Sequence, residues 1–274
     1  MRRIGLKGEL NVATGRFVMK CGGSTLAALP DSFFADLRRL QEEGLTPVIV
    51  HGGGPAINET LGKLGIESEF VGGLRKTNEA VLDVVEMVLA GQINKEIVRK
   101  IQLSGAKALG LSGVDGHLIL AQPVANAHEV GLVGDVVGVN AALVDGIIAM
   151  GYMPVIAPIG LGADGGQRYN INADTAAGAV ASQIGVERMI VVTDVPGIMQ
   201  TVDGQKVVLP TVTRADIEAM IASGEIYGGM IPKVRAAVQC MQGAVQEVVI
   251  VDGSVPEVLS KALKEGSIGT RILK

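Results

Sequence analysis

Short apolar runs rich in β-branched residues alternate along the chain with longer segments that have helical periodicity. This alternation is typical of parallel strands joined by crossover helices, so it predicts an α/β fold. We predict strands at 17–20, 47–50, 106–111, 154–157, 189–193 and 247–251. We predict helices at 30–43, 56–64, 78–103, 140–150, 173–183, 214–223 and 231–242. Thr213 and Asp216 have the spacing of an N-cap and its N3 acid, which marks one helix start.

Glycine-bearing stretches interrupt this alternation at 71–75, 117–137 and 159–171. We predict that they form β-hairpins laid over the top of the sheet. Because ligands bind at the carboxyl ends of strands in open parallel sheets, these hairpins are candidate walls of a substrate site. The strand–helix alternation restarts after Gln183, which predicts two lobes that share one continuous sheet. The N-terminal lobe is expected at 1–182 and the C-terminal lobe at 183–274.

Composition narrows the possible partners of the chain. The 274 residues are 48% hydrophobic and carry a net charge of −4, so a large core forms without disulfide staples. The two cysteines are too few for a disulfide framework, which favours the cytoplasm. No apolar run has the ~18 residues that crossing a bilayer needs, so no membrane partner is expected. The acidic balance and 3% aromatic content argue against a nucleic-acid surface.

Two predicted strands run directly into glycine turns. The strand at 47–50 leads through His51 into three consecutive glycines, and the strand at 17–20 ends on Lys20 before Gly22 and Gly23. Such turns aim backbone N–H groups at an anion, and Lys20 adds a fixed cation, so together they indicate phosphate chemistry. Neither matches a standard nucleotide-binding fingerprint. A glycine pair is explained equally well as a tight strand-to-helix turn, whereas three consecutive glycines are harder to explain by packing.

Three later segments carry further candidate groups. Asn170, Asn172 and Asp174 are spaced by twos, which suits holding a polar substrate and orienting a lysine. For Asn172 alone, capping a helix is the favoured interpretation. Lys233 is expected in the first turn of a helix, where the dipole disfavours a cation, so a functional role is favoured over a solvated one. The Pro-Gly turn at 193–198 either borders a nucleotide or ends a strand.

Seven motifs in this order resemble those of the amino acid kinase family. They are 20–24 (KCGGS), 51–54 (HGGG), 73–75 (GLR), 85–95 (VEMVLAGQINK), 170–174 (NINAD), 193–197 (TDVPG) and 228–233 (GGMIPK). The resemblance spans about 17–273. It implies a three-layer αβα sandwich with a central, mainly parallel sheet.

The resemblance also implies a reaction. The γ-phosphoryl group of ATP would be transferred to the side-chain carboxylate of N-acetyl-L-glutamate, in arginine biosynthesis. A carboxylate acceptor is already ionised at neutral pH, so the reaction needs charge stabilisation and alignment and does not need a general base. Mg²⁺ would be held chiefly by ATP phosphates and water, with no protein ligand nominated.

Site residues follow from the resemblance. Lys20 and Lys233 match two lysines that flank the transferring phosphoryl group, and Asp174 matches the acid that holds both. Gly53 and Gly54, with Gly23, would hold the equatorial oxygens. The substrate would be bound by Arg75, which grips its α-carboxylate, and by Asn170 and Asn172, alongside the same glycines. The nucleotide is expected along Gly22, Gly23, Thr193, Asp194, Val195, Pro196, Gly197, Ile198, Met199, Glu225, Ile226, Tyr227 and Lys233.

Two rival functions stay open at this stage. One is a kinase of the same fold acting on carrier-linked α-aminoadipate in lysine biosynthesis, since one extra methylene is worth only ~1–3 kcal/mol of discrimination. The other is a nucleotide-sensing homologue without turnover, because a fold does not fix a function. His51 could be mistaken for a base, but a carboxylate acceptor offers it no proton, so a structural role is favoured.

An apolar stripe runs along the predicted helix at 78–103. We expect it to be core on one side and to contribute to a homodimer interface as well. The stripe consists of Val81, Val84, Val85, Val88 and Leu89.

Overall fold

The computed structural model of the protein describes residues 15–22, 29–163, 166–202, 205–228, 230–241, 243–264 and 268–274. Each predicted strand is present, with its ends shifted by at most two residues. The strands in chain order are β1 (Arg16–Cys21), β2 (Thr46–His51), β3 (Phe70–Val71), β4 (Leu74–Arg75), β5 (Ala108–Ser112), β6 (Ile119–Pro123), β7 (Val133–Val139), β8 (Met153–Ala157), β9 (Ile159–Gly162), β10 (Arg168–Ile171), β11 (Arg188–Thr193), β12 (Met199–Val202), β13 (Gln205–Val208), β14 (Thr211–Thr213), β15 (Glu247–Asp252) and β16 (Thr270–Leu273).

The predicted helices are also present. In chain order the helices are α1 (Asp31–Glu42), α2 (Gly54–Lys63), α3 (Glu79–Glu86), α4 (Asn94–Leu103), α5 (Ala127–Val130), α6 (Ala141–Ala149), α7 (Ala173–Gln183), α8 (Arg214–Ala222), α9 (Met230–Gln239) and α10 (Val258–Lys264). Helix α8 begins with the capping box that the sequence predicted, because Thr213 and Asp216 each bond to the other's backbone N–H.

The predicted helix at 78–103 is one helical segment with an internal irregularity. A π-helical stretch, Met87–Ile93, joins α3 to α4. The apolar stripe of this segment is buried in the core of the single chain, as expected for one of its two roles. None of the helices in the described part of the chain combines the length and the apolar character that crossing a bilayer requires.

The central sheet has eight strands in the order β14-β16-β15-β11-β1-β2-β8-β5. Strand β1 lies in its middle and pairs in parallel with both β2 and β11. Strand β16 runs antiparallel to β15, whereas the other neighbours pair in parallel. The sheet is therefore mainly parallel, which confirms the predicted fold class.

Helices cover both faces of this sheet. Because successive side chains of a strand point to opposite faces, Met19 packs in one apolar cluster and Val18 in the other. The Met19 cluster includes Leu37 of α1, whereas the Val18 cluster includes Val180 of α7 and Val234 of α9. The result is the predicted three-layer αβα sandwich.

The three glycine-bearing stretches form the hairpins that the sequence predicted. Strands β3 and β4 pair antiparallel, as do β6 with β7 and β9 with β10. Strands β6, β7, β9 and β10 also close on one another as a small barrel. This closure fixes β10, whose last residues lead straight into α7 and the predicted site.

The C-terminal part of the chain contains strands that we did not predict from the sequence. Strands β12 and β13 form an antiparallel hairpin, and β14 and β16 complete one end of the central sheet. Each of these strands has only three or four residues. Segments of that length are too short to show a clear alternation of apolar and polar positions.

Candidate active site

The carboxyl ends of the central strands meet at one edge of the sheet. Cys21 at the end of β1 is level with His51 at the end of β2 and with Val192 in β11. Gly22, Gly52 and the residues after β11 therefore leave the sheet side by side. The Gly52 N–H donates to the Cys21 carbonyl over 3.1 Å, which holds the two glycine turns together.

Lys20 forms an ion pair with Asp174 beneath these turns. The Lys20 Nζ lies 2.7 Å from Asp174 Oδ1, and only 14% and 12% of the two side chains are exposed. Burial alone would lower the pKa of Lys20, but the charge and hydrogen bond of Asp174 outweigh it and raise that pKa above its ordinary value. Lys20 is therefore a fixed ammonium group at neutral pH.

Asn172 acts as the N-cap of helix α7. Its Oδ1 accepts from the backbone N–H of Asp174 over 2.9 Å and of Thr175 over 3.1 Å. This is the role that the sequence favoured for Asn172 alone, and it fixes the helix turn that carries Asp174. Asn172 also lines the cleft described below, so its predicted substrate contact stays a prediction.

The turn of three glycines leads into helix α2. A Cβ atom on Gly53 would lie 2.3 Å from Ile93 Cδ1 and 2.6 Å from Leu89 Cδ2, so the π-helical stretch packs closely on Gly53 and a larger residue would displace these two side chains. A Cβ on Gly54 would meet nothing within 4 Å. The first N–H groups of a helix have no partner within the helix, and they favour an anion.

A cleft of about 180 Å³ opens at this edge of the sheet. It brings together six of the predicted site residues, namely Gly53, Gly54, Arg75, Asn170, Asn172 and Asp174. Its apolar wall includes Ile57, Leu89 and Val133. The cleft thus combines backbone N–H groups, amides and a cation with an apolar wall, which suits a small anionic ligand.

Arg75 is a buried cation that is held by neutral groups. Its Nη1 donates to Asn58 Oδ1 over 2.7 Å and to the Ser68 hydroxyl, and its guanidinium carbon lies 4.6 Å from the centre of the Phe70 ring. Burial lowers the pKa of Arg75, although an arginine stays charged at any pH at which the protein is folded. Among the described residues Arg75 forms no ion pair, so its charge is available to a carboxylate of the ligand.

Sequence reasoning did not find Asn58 and Ser68. Asn58 faces outward from α2 and Ser68 lies in a loop, so neither position carries a motif or a periodic signal. Asn170, by contrast, was predicted, and its Nδ2 donates to Thr77 Oγ1 over 3.2 Å at the border of the cleft.

Lys233 lies in the first turn of α9, as predicted. Its Nζ is 2.5 Å from Asp194 Oδ1, just after β11. The hydrogen bond from Lys233 lowers the pKa of Asp194. Each lysine therefore has its own carboxylate here, whereas the resemblance implied that Asp174 serves both. A contact between Asp174 and Lys233 stays a prediction.

Helices α7 and α9 pack closely and link the two ion pairs. A Cβ atom on Gly178 would lie 2.5 Å from the Cys240 carbonyl oxygen, so only glycine allows this approach. Gln239 Nε2 also donates to Thr175 Oγ1 over 2.8 Å, next to Asp174. The element that carries Lys233 is thus anchored on the element that carries Asp174.

A second cavity of about 530 Å³ lies on the C-terminal half of the sheet. Four predicted nucleotide contacts line it, namely Met199, Glu225, Ile226 and Tyr227. Gln200, Lys206 and Met230 also line it and were not predicted. Gln200 and Lys206 lie on the β12–β13 hairpin, whose strands were too short to be recognised.

The Pro-Gly turn after β11 is tightly built. Gly197 has φ +146°, and a Cβ on it would lie 2.5 Å from Thr270 Oγ1, so glycine is required. The Ile198 N–H donates to the same hydroxyl over 2.8 Å. Thr193 Oγ1 donates to the Val251 carbonyl over 3.2 Å. Thr193, Asp194, Val195, Pro196, Gly197 and Ile198 therefore form a fixed border beside Lys233.

Gly22 follows β1 at the carboxyl edge of the sheet, whereas Gly23 lies outside the described residues. Within the described ranges, no group of three or more His, Cys, Asp and Glu side chains is placed to hold a metal ion.

Comparison with known proteins gives consistent matches along the chain. The model of the amino acid kinase family matches residues 15–252. The acetylglutamate kinase of Halalkalibacterium halodurans is 51% identical over 237 residues, which cover 86% of this chain and 89% of that protein. The acetylglutamate kinase of Brevibacillus brevis is 46% identical and covers 94% of this chain and 97% of that protein. The crystal structure of smu.665 from Streptococcus mutans UA159 superposes with a TM-score of 0.79 at 28% identity, covering 94% of this chain and 98% of that chain.

Proposed function

Since the chain belongs to the amino acid kinase family, we infer that it transfers the γ-phosphoryl group of ATP to the side-chain carboxylate of N-acetyl-L-glutamate. The product is an acyl phosphate, N-acetyl-L-glutamyl 5-phosphate, and the reaction belongs to arginine biosynthesis. The observation that carries this conclusion is the 51% identity to an acetylglutamate kinase over 86% of the chain. The rival that acts on carrier-linked α-aminoadipate is not favoured by these relatives.

The geometry of the cleft supports a dianionic acceptor. Arg75, which has no ion-pair partner among the described residues, offers a guanidinium group whose planar fork can bond both oxygens of the α-carboxylate. Asn170 offers an amide that lines the same cleft. The side-chain carboxylate of the acceptor would then point toward Gly53, Gly54 and the Lys20–Asp174 pair.

The proposed chemical step needs no proton transfer. A carboxylate oxygen of the acceptor attacks the γ-phosphorus, the bond from that phosphorus to the β–γ bridging oxygen breaks, and ADP leaves with the electron pair. Charge builds up on the equatorial and leaving oxygens during this step. Lys20 and Lys233 would stabilise that charge from either side, and the Gly53 and Gly54 N–H groups would hold the equatorial oxygens.

ATP would occupy the second cavity and its border. Met199, Glu225, Ile226 and Tyr227 would surround the nucleoside, and the turn after β11 would lead its phosphates toward Lys233. When bound with ATP, Mg²⁺ would supply positive charge that neutralises part of the phosphate charge. The proposed phosphate-facing groups are ammonium and N–H donors, so they suit a metal that is held through phosphates and water.

The same proposal assigns roles to the two lobes. Residues 1–182 would bind the amino-acid substrate and form a homodimer, and residues 183–274 would bind ATP, in a cytoplasmic enzyme.

The homodimer contact is proposed at the edge of the sheet. The apolar stripe of the α3–α4 segment is buried in the core, but Met87 on the same segment is 59% exposed and Leu109 on β5 is 38% exposed. Since β5 ends the described sheet, these residues support a contact between two copies. Light scattering on the purified protein would give its mass in solution, and a monomer at micromolar concentration would refute this part of the proposal.

The function is tested by comparing phosphoryl acceptors. We expect a coupled assay of ADP release to give a higher kcat/KM with N-acetyl-L-glutamate than with N-acetyl-α-aminoadipate, glutamate, aspartate, carbamate or UMP. One extra methylene should reduce kcat/KM about 10- to 100-fold. A higher value with any of the other acceptors would refute the assignment, and the absence of ADP release with all of them would favour the nucleotide-sensing rival.

Arg75→Lys is expected to raise the KM for N-acetyl-L-glutamate about 10- to 100-fold while kcat changes less than about 3-fold. The reason is that lysine keeps the charge but loses the bidentate fork, and a hydrogen bond to a charged group is worth about 1.5–3 kcal/mol. Initial rates over a range of acceptor concentrations measure both constants. Arg99→Lys is the matched control, because Arg99 is exposed and pairs with Glu96 along its own helix. A fall in kcat with an unchanged KM would contradict the assigned contact.

A further inference from the structure

Two fully buried polar side chains lie directly under the glycine turn, and the proposed reaction assigns neither of them a role. His51 and Asn94 are both 0% exposed. The Asn94 Nδ2 lies 3.2 Å from His51 Nε2, and His51 Nδ1 lies 3.1 Å from the carbonyl oxygen of Gly52. Buried polar groups are costly unless each is paired, so the hydrogen bonds at this point define the states of both side chains.

The orientation of the Asn94 amide is set by its other neighbours. Its Oδ1 accepts from Lys95 Nζ over 3.0 Å, and a lysine ammonium group can only donate. Its Nδ2 donates to the Val155 carbonyl over 2.9 Å and to the Leu111 carbonyl over 3.2 Å, and carbonyl oxygens can only accept. The contacts of Oδ1 and those of Nδ2 therefore give the same orientation, in which the nitrogen of this amide faces His51.

This orientation decides which nitrogen of His51 carries the proton. The Asn94 NH₂ group has two hydrogens for three acceptors, so His51 shares them with the two carbonyls. A proton on Nε2 would face these N–H groups without an acceptor, so Nε2 carries the lone pair. The proton then sits on Nδ1, which donates to the Gly52 carbonyl. Burial lowers the pKa of His51 to about 4, and the nearby charge of Lys95 acts in the same direction, so the ring is neutral at pH 7.

The hydrogen bond from His51 Nδ1 to the Gly52 carbonyl also sets the direction of the Gly53 N–H. A peptide unit is planar and trans, so the carbonyl of Gly52 and the N–H of Gly53 point in opposite directions across one plane. Fixing the carbonyl therefore fixes the N–H. Glycine has no side chain that would restrict this plane by itself, which leaves an external group to set it.

We infer that His51 is a positioning residue, which aims the Gly53 N–H at the phosphoryl group by holding the Gly52 carbonyl, and that Asn94 sets the His51 tautomer that makes this possible. The inference rests on the proposed function, since it needs a phosphoryl group in front of Gly53. The same helical segment also packs on Gly53 through Ile93, the residue before Asn94. The segment thus fixes both the position and the direction of the turn.

A matched pair of variants separates the two ring nitrogens. In His51→Asn the amide nitrogen takes the place of Nδ1 and can still donate to Gly52, whereas in His51→Gln the amide group takes the place of Nε2 and the Nδ1 donor is lost. Both variants lose the ring, so their packing losses are similar. We expect His51→Gln to lower kcat with N-acetyl-L-glutamate by about 10- to 100-fold with little change in KM, and His51→Asn to stay within about 5-fold of the unaltered enzyme.

The result that would overturn the inference is an equal loss of kcat in the two variants, or a loss that follows their melting temperatures. A second measurement does not depend on activity. Nitrogen-15 NMR of the histidine rings at pH 7 should show His51 as the Nδ1–H tautomer, and the Nε2–H tautomer would refute the inference. If the unaltered protein fails to phosphorylate N-acetyl-L-glutamate, the proposed function fails, while the tautomer still reports separately on the His51 contacts.

Discussion

Lys233→Ala is expected to lower kcat by about 10²- to 10³-fold while the protein stays folded. Lys233 is placed in the first turn of α9 against the helix dipole, and its ammonium group forms an ion pair with Asp194. Removing one preorganised donor that faces transition-state charge costs on the order of 3 kcal/mol. Its removal should cost little stability, because 74% of its partner's side chain is exposed to water.

The measurement is kcat in the coupled assay at saturating ATP and N-acetyl-L-glutamate, with circular dichroism to verify folding. Lys63→Ala is the control, since Lys63 is 71% exposed and pairs with Glu59 on its own helix. An unchanged rate in Lys233→Ala would remove the proposed role of this lysine.

Asp174→Asn is expected to lower both kcat and the free energy of unfolding by large amounts. The change leaves Lys20 buried beside the sheet without its carboxylate, and breaking a buried ion pair from one side costs about 3 kcal/mol or more. We expect kcat to fall about 10²-fold at pH 7, because the ammonium group of Lys20 is no longer held in one place. Urea unfolding and steady-state kinetics measure the two effects.

The pH dependence of Asp174→Asn gives a sharper test. In the unaltered protein Asp174 raises the pKa of Lys20 above 10.5, so the stability from this pair is present below pH 10.5 and is lost as pH rises through the raised pKa. Without Asp174, burial acts unopposed and lowers the pKa of Lys20. The rate should therefore acquire an alkaline limb below pH 10.5 that the unaltered enzyme lacks. Asp145→Asn is the control, since Asp145 is exposed and pairs with Arg16 at the opposite end of β1.

Parallel rate–pH profiles for Asp174→Asn and the unaltered enzyme would contradict this account of Lys20. The same outcome would favour a contact between Asp174 and Lys233, which the family resemblance implied. A double-variant cycle of Asp174→Asn with Lys233→Ala would then measure the coupling between Asp174 and Lys233.

Much of the fold could be predicted from the sequence. The apolar runs at 17–20, 47–50 and 189–193 became neighbouring strands, because a parallel sheet that is covered on both faces needs continuous apolar segments. The Thr213–Asp216 capping box was also predicted, because both of its hydrogen bonds join residues three positions apart. Local patterns of this kind report directly on local structure.

The candidate site was predicted in part. Lys20, Asp174 and the glycine turns could be named because their motifs occur in a fixed order along the chain. The partners that hold them were not evident, since they come from other elements. His51 and Asn94 are 43 residues apart, Lys233 and Asp194 are 39 apart, and Arg75 and Asn58 are 17 apart.

By itself, the sequence determined the αβα architecture, the family and the groups that can carry phosphoryl transfer, since periodicity, glycine turns and charged residues are properties of short segments. Only the tertiary structure decided which carboxylate holds which lysine, which neutral groups hold Arg75, and which nitrogen of His51 carries the proton. The physical reason is that a hydrogen bond requires two groups to meet within about 3 Å at a suitable angle. That condition depends on strand register and helix packing across the whole chain, which no local pattern of residues records.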